Sequence, residues 1–100
     1  MIPEEWRRGE VAVIGLGRTG LATAKFLSEN GYAVYVSDRE DSAAVRAAAQ
    51  RLESSGVSLD LGSHDLERIA RASLVVTSPG LPPHAEPLKA ASDAGTTILA

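Results

Sequence analysis

The sequence predicts an α/β fold, a Rossmann-like doubly wound parallel sheet of about five strands with helices on both faces. Short apolar runs rich in Val, Leu and Ile alternate along the chain with segments of helical periodicity. This alternation is typical of parallel strands joined by right-handed helical crossovers. The core must be aliphatic, because 44% of the 100 residues are hydrophobic and only 4% are aromatic.

The first unit is the segment from Val11 to Gly20, where a strand at Val11 to Gly15 leads into the glycine pattern G-x-G-x-x-G. Gly15 permits the tight turn, Gly17 lets backbone approach a ligand, and Gly20 lets a helix pack close to the strand. The N–H groups of the first helical turn have no partner inside the helix. Together with the helix dipole they form a site for an anion, and a phosphate is the expected ligand.

The next elements are predicted from periodicity and from the residues that end them. The first helix spans Thr19 to Asn30 and ends at Gly31, which can supply the left-handed residue after a helix. Strand 2, Ala33 to Asp38, is rich in β-branched and aromatic residues. The apolar face of a second helix, which is expected to end at Gly56, consists of Val45, Ala48, Ala49 and Leu52.

The second half of the chain continues the alternation. Strand 3 is predicted at Val57 to Leu61 and a brief helix at Asp65 to Ala70. Strand 4, Leu74 to Thr77, is a continuous apolar run of the kind that parallel sheets bury on both faces. After a proline-rich bridge, a helix spans Pro87 to Ala94, and strand 5 begins at Thr97 to Leu99.

A ligand of such a sheet is expected beyond the carboxyl ends of the strands, where the strand order reverses. Three predicted loops meet at that edge. The first offers backbone amides for phosphate, from Gly15, Leu16, Gly17, Arg18, Thr19 and Gly20. The second offers the carboxylate of Asp38, about 20 residues further on, for a ribose hydroxyl or a base N–H. The third offers the hydroxyl of Ser78, the fixed φ of Pro79, and Gly80, which lets the backbone approach a ligand closely.

Each of these side chains also has a purely structural interpretation. Arg18 and Arg39 could neutralise a diphosphate or could be ordinary solvated arginines. The carboxylate of Asp38 could cap the turn that follows it, and Thr19 could cap the helix and contact phosphate at once. Residues 78–80 could be a simple turn.

Composition excludes several classes of protein. Ten basic against thirteen acidic residues give a net charge of −3, which predicts no nucleic-acid partner. No cysteine is present, so a disulfide scaffold and a thiolate metal site are excluded. We predict a cytoplasmic protein with no membrane partner, because the chain has neither a signal-peptide pattern nor a long apolar run. His64 and His84 lack metal-ligand spacing and are expected to be surface loop residues, and we identify no catalytic residue.

Three motifs together resemble one family. They are Gly15-Leu-Gly-Arg-Thr-Gly20, Ser37-Asp38 at the end of strand 2, and Leu74-Val-Val-Thr-Ser-Pro-Gly80. The resemblance is to the N-terminal domain of the Mur ligases of peptidoglycan synthesis, within the UDP-N-acetylmuramoyl-L-alanine:D-glutamate ligase (MurD) family. It covers essentially all 100 residues, since Pro87-Leu88, Ala94-Gly95 and Ile98-Leu99 also fit.

The resemblance implies a site for the UDP moiety of UDP-MurNAc-L-alanine. In the family, the glycine-loop backbone, here at Arg18 and Thr19, holds the diphosphate. The residues after strand 2, here Asp38, Arg39 and Glu40, face the uracil, and residues 78–80 lie along the uridine and diphosphate. The family often has Thr-Arg after the aspartate, so this chain departs from the pattern at positions 39 and 40.

The resemblance also implies what lies elsewhere in the full-length enzyme. A central domain binds ATP and Mg²⁺ and a third domain helps to bind D-glutamate, whose amine attacks an acyl phosphate of the substrate. Because the chain stops at Ala100 just after strand 5, we expect residues 1–100 to be an N-terminal domain that is inactive alone and needs no cofactor of its own. We expect the full-length protein to be a monomer, whereas apolar surface exposed on the isolated domain favours self-association.

Two other classes share the first half of the pattern. One is an NAD-dependent oxidoreductase, in which Asp38 would accept the ribose 2′-hydroxyl. The other is an NAD-sensing module of potassium channels and transporters, which also contains Gly-Leu-Gly-Arg. The Ser-Pro-Gly at residues 78–80 favours the ligase.

Overall fold

The computed structural model describes residues 9–78 and 80–99, with Ser54 described by its backbone alone. Pro79, one of the predicted site residues, therefore lies outside the described residues. The strands are β1 Val11–Ile14, β2 Val34–Asp38, β3 Ser58–Leu61, β4 Leu74–Thr77 and β5 Ile98–Leu99. They form one sheet in the order β3-β2-β1-β4-β5, and every neighbouring pair is parallel. The predicted parallel sheet of five strands is confirmed.

Helices cover both faces of this sheet. They are α1 Arg18–Glu29, α2 Ala43–Gln50, α3 Leu66–Ala70 and α4 Glu86–Asp93. Buried residues of α1 and α2 pack with one side of the sheet, and those of α3 and α4 pack with the other. The strand order reverses between β1 and β4, so the chain is wound in opposite directions from that point. This confirms the doubly wound arrangement.

The central strand explains why both faces must be covered. Val11 and Val13 of β1 belong to the core under α1 and α2, whereas Ala12 and Ile14 belong to the core under α3 and α4. All four are at most 1% exposed. Successive side chains of a strand point to opposite faces, so a wholly apolar strand is stable only between two layers of helix.

The prediction for the second helix was wrong at its C-terminal end. Helix α2 begins at Ala43, where the Ser42 hydroxyl caps it, but it ends at Gln50 rather than at Gly56. A turn and a short 3-10 segment, Glu53–Ser55, follow, and Gly56 closes that segment at a φ of 74°. Leu52 is nonetheless fully buried. Apolar spacing alone could not locate the end, because a turn can also direct its side chain into the core.

No helix in the described part of the chain is long and apolar enough to cross a membrane. Among the same residues, the large hydrophobic side chains that remain exposed are Phe26 and Leu99. Self-association of the isolated chain stays a prediction.

Candidate functional site

The glycine turn after β1 has the geometry that the sequence predicts. Gly15 has a φ of +98°, a conformation that residues with a Cβ rarely adopt. Gly20 is buried in α1, and a Cβ at that position would overlap the carbonyl oxygen of Gly15 and touch Val13 Cγ1 at 3.7 Å. Gly17 is exposed, and a Cβ there would meet nothing within 4 Å. The turn is thus tight on the protein side and open towards solvent.

Helix α1 begins without a side-chain cap. Its N-cap is Gly17, whose backbone is extended, and Leu21 donates its N–H to the Gly17 carbonyl at 2.9 Å. The expectation that Thr19 caps the helix was wrong, because the helix begins at Arg18 and Thr19 lies exposed in its first turn. The first-turn amides of a helix have no intrahelical acceptor, so this end of α1 favours an anion.

Asp38 connects two of the three predicted loops. Its Oδ2 accepts the N–H of Leu16 at 2.7 Å, and its Oδ1 accepts the N–H of Glu40 at 2.8 Å. The structural interpretation, in which this carboxylate caps the following turn, is therefore correct. It does not exclude a ligand, because a carboxylate has about four lone-pair positions and these bonds use two.

Leu16, one of the predicted site residues, has a buried side chain and an amide that is already bonded within the chain. Its side chain is only 3% exposed and packs in the core under α1 and α2. Its amide already donates to Asp38. In this conformation, Leu16 fixes the path of the glycine loop, and the amides further along the loop remain for a ligand.

The loop after β4 lies against the glycine turn. A Cβ built on Gly15 would be 3.6 Å from Ser78 Oγ, so the hydroxyl of Ser78 lies beside the backbone of that turn. Thr77, which is 8% exposed, donates its hydroxyl to the Ser78 carbonyl at 3.3 Å. Gly80 is exposed. The structure therefore brings the described residues of all three loops to the carboxyl edge of the sheet.

Two arginines at this edge, Arg18 and Arg39, form no salt bridge with another described residue. The salt bridges among the described residues involve Arg46, Arg68 and Lys89. Arg18 and Arg39 are exposed and are not among them. The structure therefore leaves open whether these arginines are solvated surface residues or contacts for a diphosphate.

A cleft of about 460 Å³ opens beside the glycine loop, on the side of the sheet that α1 and α2 cover. This volume is within the range of small-molecule sites. The cleft is lined by Leu16, Gly17, Arg18, Leu21, Asp38, Glu40, Ser42, Ala44, Val45 and Ala48. Sequence reasoning missed the contribution of α2. The signal was the pair of small residues at Ala44 and Ala48, one helical turn apart, which leaves room beside α1.

His64 was expected to be a surface residue, but the structure places it half-buried in the loop after β3. Its Nδ1 lies 2.6 Å from the hydroxyl oxygen of Ser37, which is fully buried. Burial lowers the pKa of the imidazole, and the negative charge of Asp38 acts in the opposite direction. The signal was Ser37 itself, because a polar residue in an apolar strand needs a partner. His84 is exposed, as expected.

Tyr35 of β2 is hydrogen-bonded to residues on both sides of the loop that carries His64. Its hydroxyl donates to Asp60 Oδ2 at 2.7 Å and accepts the N–H of Asp65 at 3.0 Å. Burial is the main reason why the pKa of this phenol is raised to about 12. The guanidinium of Arg68 stacks over the ring, 4.5 Å from its centroid, and makes two hydrogen bonds of 2.6 Å with Glu10.

The described residues were compared with the requirements of a metal site, and the whole sequence with the ATP phosphate-loop pattern. Within residues 9–78 and 80–99, no group of three His, Asp or Glu residues is placed to hold a metal ion. The sequence also lacks the pattern G-x-x-x-x-G-K-[ST] that cradles ATP phosphates.

Comparison with known proteins gives a consistent picture. Residues 9–100 match the family model described as "Mur ligase MurD-like, N-terminal domain". UDP-N-acetylmuramoylalanine–D-glutamate ligase of Desulfosudis oleivorans is 35% identical over 99 residues, which are 99% of this chain and 22% of that protein. The enzyme of the same name from Microcystis aeruginosa is 40% identical over 91 residues, which are 90% of this chain and 20% of that protein. The chain thus spans about a fifth of the length of these relatives.

Solved structures agree on the fold. A pseudomurein peptide ligase type C from Methanothermus fervidus has a TM-score of 0.74 and 29% identity, covering 92% of this chain and 19% of that one. A crystal structure from Pseudomonas putida KT2440, described as an oxidoreductase, has a TM-score of 0.57 and 18% identity over 90% of this chain and 39% of that one. The second similarity concerns the fold alone.

Proposed function

Because this chain belongs to the MurD-like N-terminal domain family of the Mur ligases, we propose that it binds the UDP moiety of UDP-MurNAc-L-alanine. It would do so as the N-terminal domain of a UDP-N-acetylmuramoylalanine–D-glutamate ligase. The observation that supports this most directly is the meeting of three groups at one sheet edge. They are the uncapped N-terminus of α1, the carboxylate of Asp38 and the hydroxyl of Ser78.

The diphosphate belongs at the start of α1 in this proposal. Gly17 leaves open space over the first turn, and the amides of Arg18 and Thr19 follow it. Backbone amides and the helix dipole favour negative charge there without any side-chain rearrangement. The guanidinium of Arg18 would add a charge-assisted hydrogen bond, which is stronger than one between neutral groups.

The uridine belongs between Asp38 and the cleft. The two unused lone-pair positions of the Asp38 carboxylate can accept a base N–H or a ribose hydroxyl. Beside it, Leu21, Val45 and Ala48 give the cleft an apolar wall on which a flat base can pack. A site with apolar walls and few polar groups is typical for a small ligand.

The chemical step would take place outside this chain. The relatives named above are ligases about five times as long as the segment that matches this chain. We propose that ATP and Mg²⁺ bind in the other parts of such an enzyme, that the chain alone is inactive, and that the enzyme acts in the cytoplasm on peptidoglycan precursors. Detectable ATP-dependent addition of D-glutamate by the 100 residues alone would contradict this.

An amide-resolved NMR titration of this chain with UDP-MurNAc-L-alanine, run beside NAD⁺, tests the proposal. We expect the UDP ligand alone to shift the amides of residues 17–20, 38–40 and 78–80, apart from the proline. Shifts with NAD⁺ alone would favour an oxidoreductase or an NAD sensor. No shift with either ligand would contradict binding by this chain.

A pair of arginine variants makes the test quantitative. Arg18→Ala should weaken binding of the UDP ligand about fivefold, the effect of one lost charge-assisted contact of about 1 kcal/mol. Arg71→Ala is the matched control, because Arg71 is also exposed but lies at the C-terminal end of α3, on the opposite edge of the sheet. Equal effects of the two substitutions would mean that only net charge matters.

A further inference from the structure

The loop at residues 62–65, which follows β3, is attached to the end of β2 at consecutive residues. Gly62 donates its N–H to the Asp38 carbonyl at 2.8 Å, and Ser63 forms an isolated antiparallel bridge with Asp38. His64 then reaches Ser37, with Nδ1 2.6 Å from the hydroxyl oxygen. Backbone contacts and one side-chain contact thus hold the two residues that end β2.

The contact between His64 and Ser37 lies on the opposite side of the sheet from the cleft. Ser37 is fully buried. It lies two residues after Tyr35 in β2, so its side chain is on the same face of the sheet, which α3 and α4 cover. Asp38 projects to the other side, where it accepts the Leu16 amide. The loss of one such hydrogen bond costs about 1 kcal/mol, so a shift of β2 that separates Ser37 from His64 is unfavourable.

We propose that His64 is a positioning residue, which fixes the carboxylate of Asp38 for the uridine end of the ligand through its bond to Ser37. This inference rests on the proposed function for its ligand. Only one peptide bond separates Ser37 from Asp38. The bond from Ser37 to His64 on one side of the sheet and the bond from the Leu16 amide to Asp38 on the other side together fix the rotation of β2 about its own axis. Without His64, the backbone contacts of β2 remain, but Ser37 loses the side-chain contact that fixes its orientation, and the bond from the Leu16 amide to Asp38 weakens.

The surroundings of His64 favour this role over direct contact with the diphosphate. The charged groups that act on the imidazole are Asp38, Glu86, Asp60 and Arg39, of which three are acidic. A diphosphate would be repelled by that excess of negative charge. His64 is also absent from the lining of the cleft, whereas Asp38 is part of it.

Two isosteric substitutions separate the alternatives. His64→Asn places an amide close to the position of Nδ1 and can still bond Ser37, whereas His64→Gln places its amide nearer the position of Nε2. We expect His64→Asn to bind UDP-MurNAc-L-alanine within about twofold of the wild type and His64→Gln to bind about fivefold more weakly, the effect of about 1 kcal/mol. Ser37→Ala, which removes the hydroxyl from the other side, should behave like His64→Gln.

The free chain provides a measurement that does not depend on the ligand. The amide proton of Leu16 reports its hydrogen bond to Asp38 through its chemical shift and its rate of exchange with D₂O. In His64→Gln and Ser37→Ala we expect an upfield shift and faster exchange at Leu16, with amides of α1 beyond its first turn unchanged. His64→Asn should retain the wild-type shift, which a general loss of stability would not explain.

Opposite results would overturn the inference. An unchanged Leu16 amide in both His64→Gln and Ser37→Ala would mean that His64 does not position Asp38. Normal binding by His64→Gln together with weak binding by His64→Asn would assign a direct ligand contact to Nε2 instead. If the wild-type chain binds no UDP ligand, the proposed function fails, and the Leu16 amide still decides the positioning role by itself.

Discussion

At the scale of single residues, we expect Gly20 and Gly17 to matter for different reasons, Gly20 for packing and Gly17 for the space that we assign to the diphosphate. Gly20 has no room for a Cβ, because the Gly15 carbonyl oxygen occupies that space. We expect Gly20→Ala to lower the free energy of unfolding by about 1–3 kcal/mol, since the obstacle is backbone that cannot move away cheaply. The better helix propensity of alanine, about 1 kcal/mol, offsets only part of this loss. Urea unfolding followed by circular dichroism measures the difference.

Gly17 provides the matched control for that substitution. A Cβ at Gly17 meets no atom within 4 Å, so Gly17→Ala should change the free energy of unfolding by less than about 1 kcal/mol. The same Cβ would project into the space that we assign to the diphosphate. Equal losses of stability in the two variants would contradict this account of the loop.

Individual residues also mark the limit of what the sequence could predict at the site. The positions of Gly15, Gly17 and Gly20 follow from local spacing, and the structure confirms the tight turn and the close helix packing. The bond from Leu16 to Asp38 spans 22 residues of sequence, and the contact from Ser37 to His64 spans 27. Such contacts depend on how separate loops meet, which no local pattern records.

At the scale of elements, Tyr35 joins β2 to β3 and to the start of α3. Because its pKa is raised from 10.0 to about 12, the folded chain keeps the phenol neutral after the unfolded chain has ionised it. The stabilisation is therefore almost complete up to pH 10, and about 2 kcal/mol of it is lost as the pH rises from 10 to 12. We expect urea unfolding, followed by circular dichroism, to show this loss between pH 10 and 12.

Tyr35→Phe isolates the contribution of the phenol. The variant retains the ring beneath Arg68 but loses the hydrogen bonds to Asp60 and Asp65, so it should be less stable than the wild type at pH 8. That difference should shrink between pH 10 and 12, because only the wild type has this phenol to ionise. A constant difference across this range would show that Tyr35 does not titrate with a raised pKa.

Elements were predicted from the sequence to different degrees. Every predicted strand and helix is present, and most of their ends lie within one residue of the prediction. The exception is α2, which stops at Gln50. Glycine at a left-handed φ ends a helix, as at Gly31, but it also closes a 3-10 segment, as at Gly56. Both look alike in sequence.

At the scale of the whole molecule, the winding of the chain determines where the site lies. The right-handed crossovers place α1 and α2 on one side and α3 and α4 on the other, so a crevice opens where β1 and β4 meet. The sequence predicts this because alternating strands and helices leave few topologies. It could not predict the cleft between α1 and α2, whose size depends on how closely those helices approach.

A domain that only holds the UDP end of a substrate should affect binding and not chemistry. We propose that this chain is the N-terminal domain of a ligase. In that enzyme, the Cβ that Gly17→Ala adds would crowd the diphosphate equally in the ground state and in the transition state. The KM for UDP-MurNAc-L-alanine should then rise about tenfold with kcat almost unchanged, as expected when uniform binding is lost. The KM values for ATP and D-glutamate should stay constant. Steady-state kinetics with each substrate varied in turn measures all three, and a fall in kcat with an unchanged KM would mean that the glycine loop acts on the chemical step.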